Sequence, residues 1–364
     1  YLHKLVKAGH RVAICDQLEN PKDAKGVVKR GVTELVTPGV ATNDKLLENN
    51  SNNFLAAVHF TEHQLGVAFL DISTGEFFAA EGNEEYIDKL LQSLKPAEVI
   101  FQRSYQKHFK EVFGVKFYTY NLESWIFEEA FATESLLKHF QTHSLKGYGI
   151  EKMHYGIVAA GAILYYLKET EHPNLQHITS IQRIEKDDFL WMDRFTIRNL
   201  ELLGTEGNTS LLKVIDTTVS PMGARLLKRW MLMPLNNFSK INERLNTVEY
   251  LIKETDLRTK LTQHIKQAGD VERLVSKVPL KKINPSLLHS FENTISNLKQ
   301  AQSLVDDASR IIYRKVVTDI NFQKRINLTE LIQLPNYHAY LYQWLEPLGF
   351  SDWDSINDLA TAQS

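Results

Sequence analysis

The chain has 364 residues, 43% of them hydrophobic and 24% charged, with a formal net charge of −2. That is ordinary globular composition, long enough for about two to three domains, and it excludes a uniformly basic nucleic-acid binder. Its one cysteine, Cys15, excludes an internal disulfide framework and any multi-cysteine metal site, and no uncharged apolar run approaches the roughly 20 residues of a membrane span, so a cytoplasmic protein without a membrane partner is expected.

The opening "YLHKLVKAGH" reads as the end of a helix, with Leu2, Leu5 and Val6 at helical spacing and Gly9 at the C-terminal stop. A chain that starts inside a helix, without an initiator methionine, is expected to belong to a longer protein. "RVAICDQL" follows as a strand, "NPKDAKG" as a capped start of a short helix, and "VTELVTPGV" as a strand that ends at Pro38-Gly39. Polar "TNDKLLENNSNN" reads as a linker. Three β-rich runs, "FLAAVHF", "LGVAFLDIS" and "GEFFAAE", are joined by short turns. Helical "EEYIDKLLQSL" leads to the strands "AEVIFQ" and "VKFYTY", and helices follow at about 126–141 and 154–169. That order of a mostly antiparallel start with later crossovers resembles a ribonuclease H-like sheet. From residue 189 onward helical periodicity takes over, in "SLLKVID", "SPMGARLLKRWMLMPL", "INERLNTVEYLIKE" and "LLHSFENTISNLKQAQSLVDD".

Charge is uneven along the chain. Lys plus Arg minus Asp plus Glu is +3 over residues 1–40, −6 over 41–170, +2 over 171–278 and −1 over 279–364. The acidic second block is the least suited to phosphates.

Several residues invite chemical readings. Cys15 lies in a strand without the cationic neighbours a reactive thiolate needs, and reads as an inert core residue. Asp71 in "AFLDISTGE" could serve a two-metal nuclease, but it precedes a tight turn where Asp bonds the backbone, and spacing supplies no second carboxylate. His139 and His143 are four apart and could share a helix face as metal ligands do, yet no Glu follows the first as in H-E-x-x-H, so a solvated face is expected. "GYG" at 147–149 reads as a turn. In "SPMGARLLKRWMLMPL" the apolar stripe Leu226, Leu227, Trp230, Met231 and Met233 is expected to face the core, with Arg225, Lys228 and Arg229 toward the other side; a basic face of this kind can also ride along phosphates, but an amphipathic core helix is the default. None of the 17 glycines precedes a lysine, so the chain holds no Walker-type phosphate loop.

With these residues in view, "YLHKLVKAGHRVAICDQLENPKDAKGVVKRGVTELVTPGV" resembles the end of the mismatch-recognition domain of the MutS family. The pattern runs through Cys15, Gln17, Glu19, Pro21, Lys25, Gly26, Arg30 and Val36-Thr37-Pro38-Gly39, with Asp16 and Asn20 as mild departures. "FLAAVHF" and "GVAFLDISTGEF" resemble the family's connector domain. "FTIRNLELLG", "SLLKVIDTTVSPMGARLLKRWMLMPL", "INERLNTVEYL" and "GDVERLVSKV" resemble its core domain. After Val278 the pattern fades, and "INPSLLHSFENTISNLKQ" and "NYHAYLYQWLEPLGFSDWDSINDLATAQS" look more like the later part of the tRNA(Ile)-lysidine synthetase family.

The resemblance implies an α/β N-terminal part, made of the end of a mismatch-recognition domain and a ribonuclease H-like connector, followed by a mainly α-helical core segment and a small helical tail. The implied divisions are 1–40, a linker at 41–52, the connector at 53–172, part of the core at 173–278, and a tail at 279–364 that looks foreign to the family. That tail is expected to cluster around Trp344, Phe350 and Trp353, after a helix that ends near Val278.

By the same resemblance the parent is an ATP-controlled clamp on mismatched double-stranded DNA. It is a homodimer that works with a MutL-type partner and uses ATP and Mg²⁺, while this chain holds no cofactor, no metal and no catalytic residue. The match begins after the Phe-x-Glu motif that such proteins wedge beside a mispaired base, and the ATPase domain is not in it. Lys25, Lys29 and Arg30 are the residues implied to face DNA phosphates. Two other readings stand beside it: a tRNA-lysidine synthetase fragment carried by the tail, and a ribonuclease H-like nuclease built on Asp71.

Overall fold

The computed structural model describes residues 1–19, 27–172, 174–204, 209–277, 290, 293–297 and 299–306. They fall into two compact units, Tyr1–Val248 with Gly269–Phe291, and Glu249–Ala268 with Glu292–Ser364. The expected helix of "NPKDAKG", the helix end at Val278 and the tail cluster around Trp344, Phe350 and Trp353 lie outside the described residues.

The first unit opens with α1 (Leu2–Lys7) and the antiparallel ribbon β1 (Val12–Gln17) and β2 (Arg30–Val36). Val6 of α1, Val36, Ala41 and Leu47 form a small apolar cluster beneath it. Pro38 stops β2, because it has no N–H for a ladder, and Pro38–Val40 turn as a single 3-10 element.

A six-stranded sheet follows, built from β3 (Leu55–Phe60), β4 (Leu65–Asp71), β5 (Glu76–Gly82), β6 (Glu98–Gln102), β7 (Thr119–Leu122) and the two-residue β8 (Gln182–Arg183). Its spatial order is β7-β6-β3-β4-β5-β8. β3, β4 and β5 pair antiparallel, whereas β6 and β7 extend it in parallel from β3 and β8 runs parallel to β5. The strand expected in "VKFYTY" starts four residues later than that run suggests: Val115 is exposed, and pairing begins at Thr119 opposite Val99.

Alternation explains how β3 is buried on both sides. Leu55 and Ala57 face one apolar layer with α4 (Glu129–Phe140) and α5 (His154–Glu169), while Phe54, Ala56, Val58 and Phe60 face the other with α2 (Glu84–Leu94) and α3 (Gln106–Phe113). Asn83 caps α2 by accepting from the Tyr86 amide at 3.0 Å, and Glu84 and Glu85 complement its N-terminal dipole. α5 lies so close to the sheet that a Cβ on Gly66 of β4 would sit 1.9 Å from the Tyr155 carbonyl oxygen. Only glycine fits there.

Beyond β8 the same unit continues as α6 (Arg194–Asn199), α7 (Leu211–Ile215), α8 (Pro221–Leu232) and most of α9 (Phe238–Lys253), and it closes with α11 (Val271–Lys277). Met192, Ile197, Leu202, Leu232 and Met233 join the layer on the α2 and α3 side of the sheet. In the second unit, α10 (Thr255–Ala268) is a helix beyond those expected from the sequence, although Leu257, Leu261 and Ile265 recur at helical spacing, and the described residues of 293–306 are helical. His264 Nδ1 and Asn297 Oδ1 lie 3.2 Å apart there. Among the described residues, no helix is long and apolar enough to cross a membrane.

Candidate nucleic-acid contacts and an ionic junction

Of the three residues expected to meet phosphates, Lys25 lies outside the described residues. Lys29 and Arg30 are adjacent and exposed where β2 begins. The backbone there is fixed by Leu18 N donating to Lys29 O at 2.9 Å and Lys29 N donating to Glu19 Oε1 at 2.7 Å. Among the described residues neither side chain has an ion-pair partner.

The other sequence candidates sort differently. Cys15 is exposed, not a core residue, because the two-stranded ribbon covers one face of β1 only. Asp71 is buried, and four donors take its oxygens: Ser73 N at 2.9 Å and Ser73 Oγ at 2.7 Å on Oδ1, Asn52 Nδ2 at 3.0 Å and Asn53 N at 3.1 Å on Oδ2. That is the chemistry of a turn anchor. His139 and His143 do not share a helix face, since α4 ends at Phe140 and Gln141 adopts a left-handed backbone. His139 Nε2 instead lies 2.9 Å from Ile178 O, and burial lowers its pKa despite that hydrogen bond.

Helix α8 corrects the largest expectation. Ser220 caps it, its Oγ accepting from Gly223 N at 3.2 Å, and Pro221 occupies the first turn. Of the expected core stripe, Met233 is buried and Met231 packs against the sheet layer, but Leu226 and Trp230 are 37% and 40% exposed, whereas Arg225 is only 4% exposed. The basic face points inward. Arg225 grips Asp270 bidentately, Nη1 to Oδ2 at 2.7 Å and Nη2 to Oδ1 at 2.8 Å, and Nη2 also reaches Glu272 Oε2 at 2.6 Å. One turn on, Arg229 pairs with Glu76 of β5, and Lys228 Nζ donates to Ser51 Oγ at 2.8 Å. Burial works against the charge on Arg225, but its bonds to Asp270 and Glu272 outweigh that and raise its pKa. Burial pushes the Glu272 carboxyl up, and Arg225 pulls it only part of the way back.

The sequence carries a signal for this junction that the apolar stripe masks. Arg225, Lys228 and Arg229 are spaced i, i+3, i+4 and so share one face, while Asp270 and Glu272 stand together at the start of α11. Asp270, Glu272 and Arg273 stand in "GDVERLVSKV" and Glu76 in "GVAFLDISTGEF", runs that carry the family resemblance without assigning these residues partners. Which cation meets which anion depends on a chain separation of 45 residues between Arg225 and Asp270, which no local pattern encodes.

With that geometry established, comparison with known proteins is informative. Residues 1–45 match the family described as MutS domain I, residues 53–179 MutS domain II and residues 195–341 MutS domain III. Residues 320–364 match the TilS substrate binding domain, overlapping the end of the domain III match, which itself runs past Val278. Among curated relatives, the DNA mismatch repair protein MutS of Cytophaga hutchinsonii is 51% identical over 323 residues, 88% of this chain and 38% of that protein. The protein of the same name from Christiangramia forsetii is 54% identical over 306 residues, 84% of this chain and 35% of the relative. That of Bacteroides thetaiotaomicron is 52% identical over 314 residues, 85% and 36% of the two chains. The chain thus spans a little over a third of the length of these relatives. Three ordered matches running from residue 1 to residue 341 show that this chain belongs to the MutS family.

Proposed function

We propose that this chain is the part of a MutS-type mismatch-repair protein that carries phosphate contacts on the β1–β2 ribbon and connects them to the helical region. The observation that carries this reading is the ordered match to MutS domains I, II and III. In it, Lys25, Lys29 and Arg30 run along DNA phosphates, residues 53–172 are a ribonuclease H-like connector without nuclease chemistry, and residues 173–278 belong to the core. The connector reading is supported by the sheet, with three antiparallel strands extended by two parallel ones, and by Asp71, whose oxygens are engaged by backbone and side-chain donors. The whole protein would act as an ATP-controlled homodimeric clamp on mismatched duplex DNA, with a MutL-type partner, in the cytoplasm. ATP and Mg²⁺ would be held outside this chain, which has no Gly-Lys phosphate loop.

Lysine and arginine on phosphates sense charge and position, while sequence is read at base edges. Three such contacts should therefore give weak binding with a log K against log salt slope of about −3 and equal affinity for matched and mismatched duplexes. Fluorescence anisotropy across about 50–200 mM salt checks both. A slope near zero removes the phosphate role, and a clear preference for the mismatched duplex shows base readout by this chain.

A second reading rests on the match of residues 320–364 to the TilS substrate binding domain. It makes the tail a tRNA-modification segment joined to a MutS-type chain. Sequencing reads that cross residues 315–345 without a break support a true fusion, and their absence shows a mis-joined gene.

A further inference from the structure

Residues 41–52 are polar and read as a tether, yet Ala41 and Leu47 are buried with Val6 and Val36, and both flanks are gripped. At the N-terminal side the Thr37-Pro38-Gly39 turn closes on Glu98 of β6, a carboxylate that is 3% exposed. Thr37 Oγ1 and the Gly39 amide both donate to its Oε2, the latter at 3.0 Å, while Tyr166 of α5 donates to Oε1 at 2.6 Å. A Cβ on Gly39 would lie 2.8 Å from Glu98 Cβ, so the turn seats only with glycine there. Asn53 Nδ2 ties the far end back to Pro38 O at 2.9 Å.

At the C-terminal side two buried guanidiniums hold backbone carbonyls. Arg273 Nη2 donates to Glu48 O at 2.9 Å and to Ser51 O at 2.8 Å, and Arg225 Nη1 donates to Asn49 O at 3.0 Å. Lys277 Nζ adds a bond to Asp44 Oδ2 at 2.7 Å. A loop carbonyl loses its water when it is covered, so it must find a donor. Here α8 and α11 supply it with charged donors, the stronger kind. Because Asp270 holds Arg225 bidentately and lies 4.0 Å from Arg273 Nε, the loop, α8 and α11 close into one charged network.

We propose that residues 37–53 are a strut clamped at both ends, which holds the β1–β2 ribbon and helices α8 and α11 in one fixed arrangement. The Thr-Pro-Gly turn and the arginines of α8 and α11 are its two latches. This goes beyond the mismatch-repair reading, since it concerns how the chain holds its parts whatever ligand the ribbon meets.

The test uses the whole chain and its single, exposed Cys15. A spin label there and a second at Thr217→Cys, an exposed position just before α8, report the distance between ribbon and helices. Hydrogen exchange of residues 46–53 is read in parallel, with the β3 and β4 amides as the internal control. The parent should give one narrow distance distribution and exchange at least a hundredfold slower than an unstructured peptide. Arg273→Lys, which keeps the charge but cannot span both carbonyls, should speed exchange of 46–53 at least tenfold and leave β3 and β4 unchanged. Thr37→Val together with Arg273→Lys should broaden the distance distribution. Parent exchange at the rate of an unstructured peptide, an unbroadened distribution in the double variant, or equal acceleration in β3 and β4 each overturns the strut.

Discussion

The sheet and the Arg225 face of helix α8 bury opposite materials, and the contrast teaches where an amphipathic pattern stops being informative. Around β3 and β4 almost every inward side chain is apolar, with Val58, Val67, Phe69 and Leu70 fully enclosed, and the buried polar groups there are anchors such as Asp71 and Glu98. In α8 the end of the helix still buries Leu232 in that layer, but two turns earlier the inward residue is Arg225, and the apolar residues Leu226 and Trp230 are partly exposed. The first region gains from removing hydrocarbon from water. The second relies on matching cations to anions in a place with little water, where a complete network is stable and a broken one is costly.

The sharpest way to break the comparison is to remove one ion. Arg225→Met should cost about 3 kcal/mol, the lower end for breaking a buried pair, by leaving the half-buried Asp270 and Glu272 without their cation. Its deficit should shrink in acid as Glu272, whose carboxyl burial already pushes up, takes up a proton and relieves its unpaired charge. Thermal melts of parent and variant at pH 7 and near pH 4 measure both. A deficit that is constant with pH would mean that the carboxylates find other partners.

The apolar region is tested by shape. Gly66→Ala places a methyl group against the Tyr155 carbonyl and should destabilise by about 3 kcal/mol through overpacking. At this chain length that is a fall of roughly 4 °C in melting temperature. A change below a degree would show that α5 can move away from the sheet freely.

A pH effect separates the two regions again, now within the sheet. Burial lowers the pKa of His59 to about 4, and its Nδ1 accepts from Gln102 Nε2 at 2.8 Å, a bond that only the neutral ring can make. The unfolded chain therefore binds more protons than the folded one between about pH 6.5 and 4. Stability is full above the unfolded pKa and is lost as pH falls through that window, by up to about 3 kcal/mol from this residue. His59→Gln should flatten that part of the curve. An unchanged acid slope in the variant would assign the loss to other groups.

The smallest expected effect is the most diagnostic of the inversion. Leu226→Ala should change stability by no more than about 0.5 kcal/mol, the range of surface substitutions. Leu90→Ala in α2, fully buried in the sheet layer, should cost about 2–5 kcal/mol. Denaturant midpoints of the two variants compare them directly, and equal losses would restore the stripe of α8 to the core.

Periodicity and turn chemistry by themselves determined β3 to β6, α2, α5 and the stop at Pro38, because each is set by neighbours within one element: alternation across a strand, a cap such as Asn83, or a proline without an N–H. The family resemblance was legible for the same reason, since it rests on linear order. Tertiary structure alone decided that α8 turns its cations inward, that Cys15 is uncovered, and that the polar run 41–52 is held at both ends. Each of these is settled by a partner far along the chain, as when Arg273 meets the carbonyl of Glu48. An apolar stripe at helical spacing tells that a helix has two faces but not what each face meets, and a buried charge is stable only where the opposite charge has been brought to meet it.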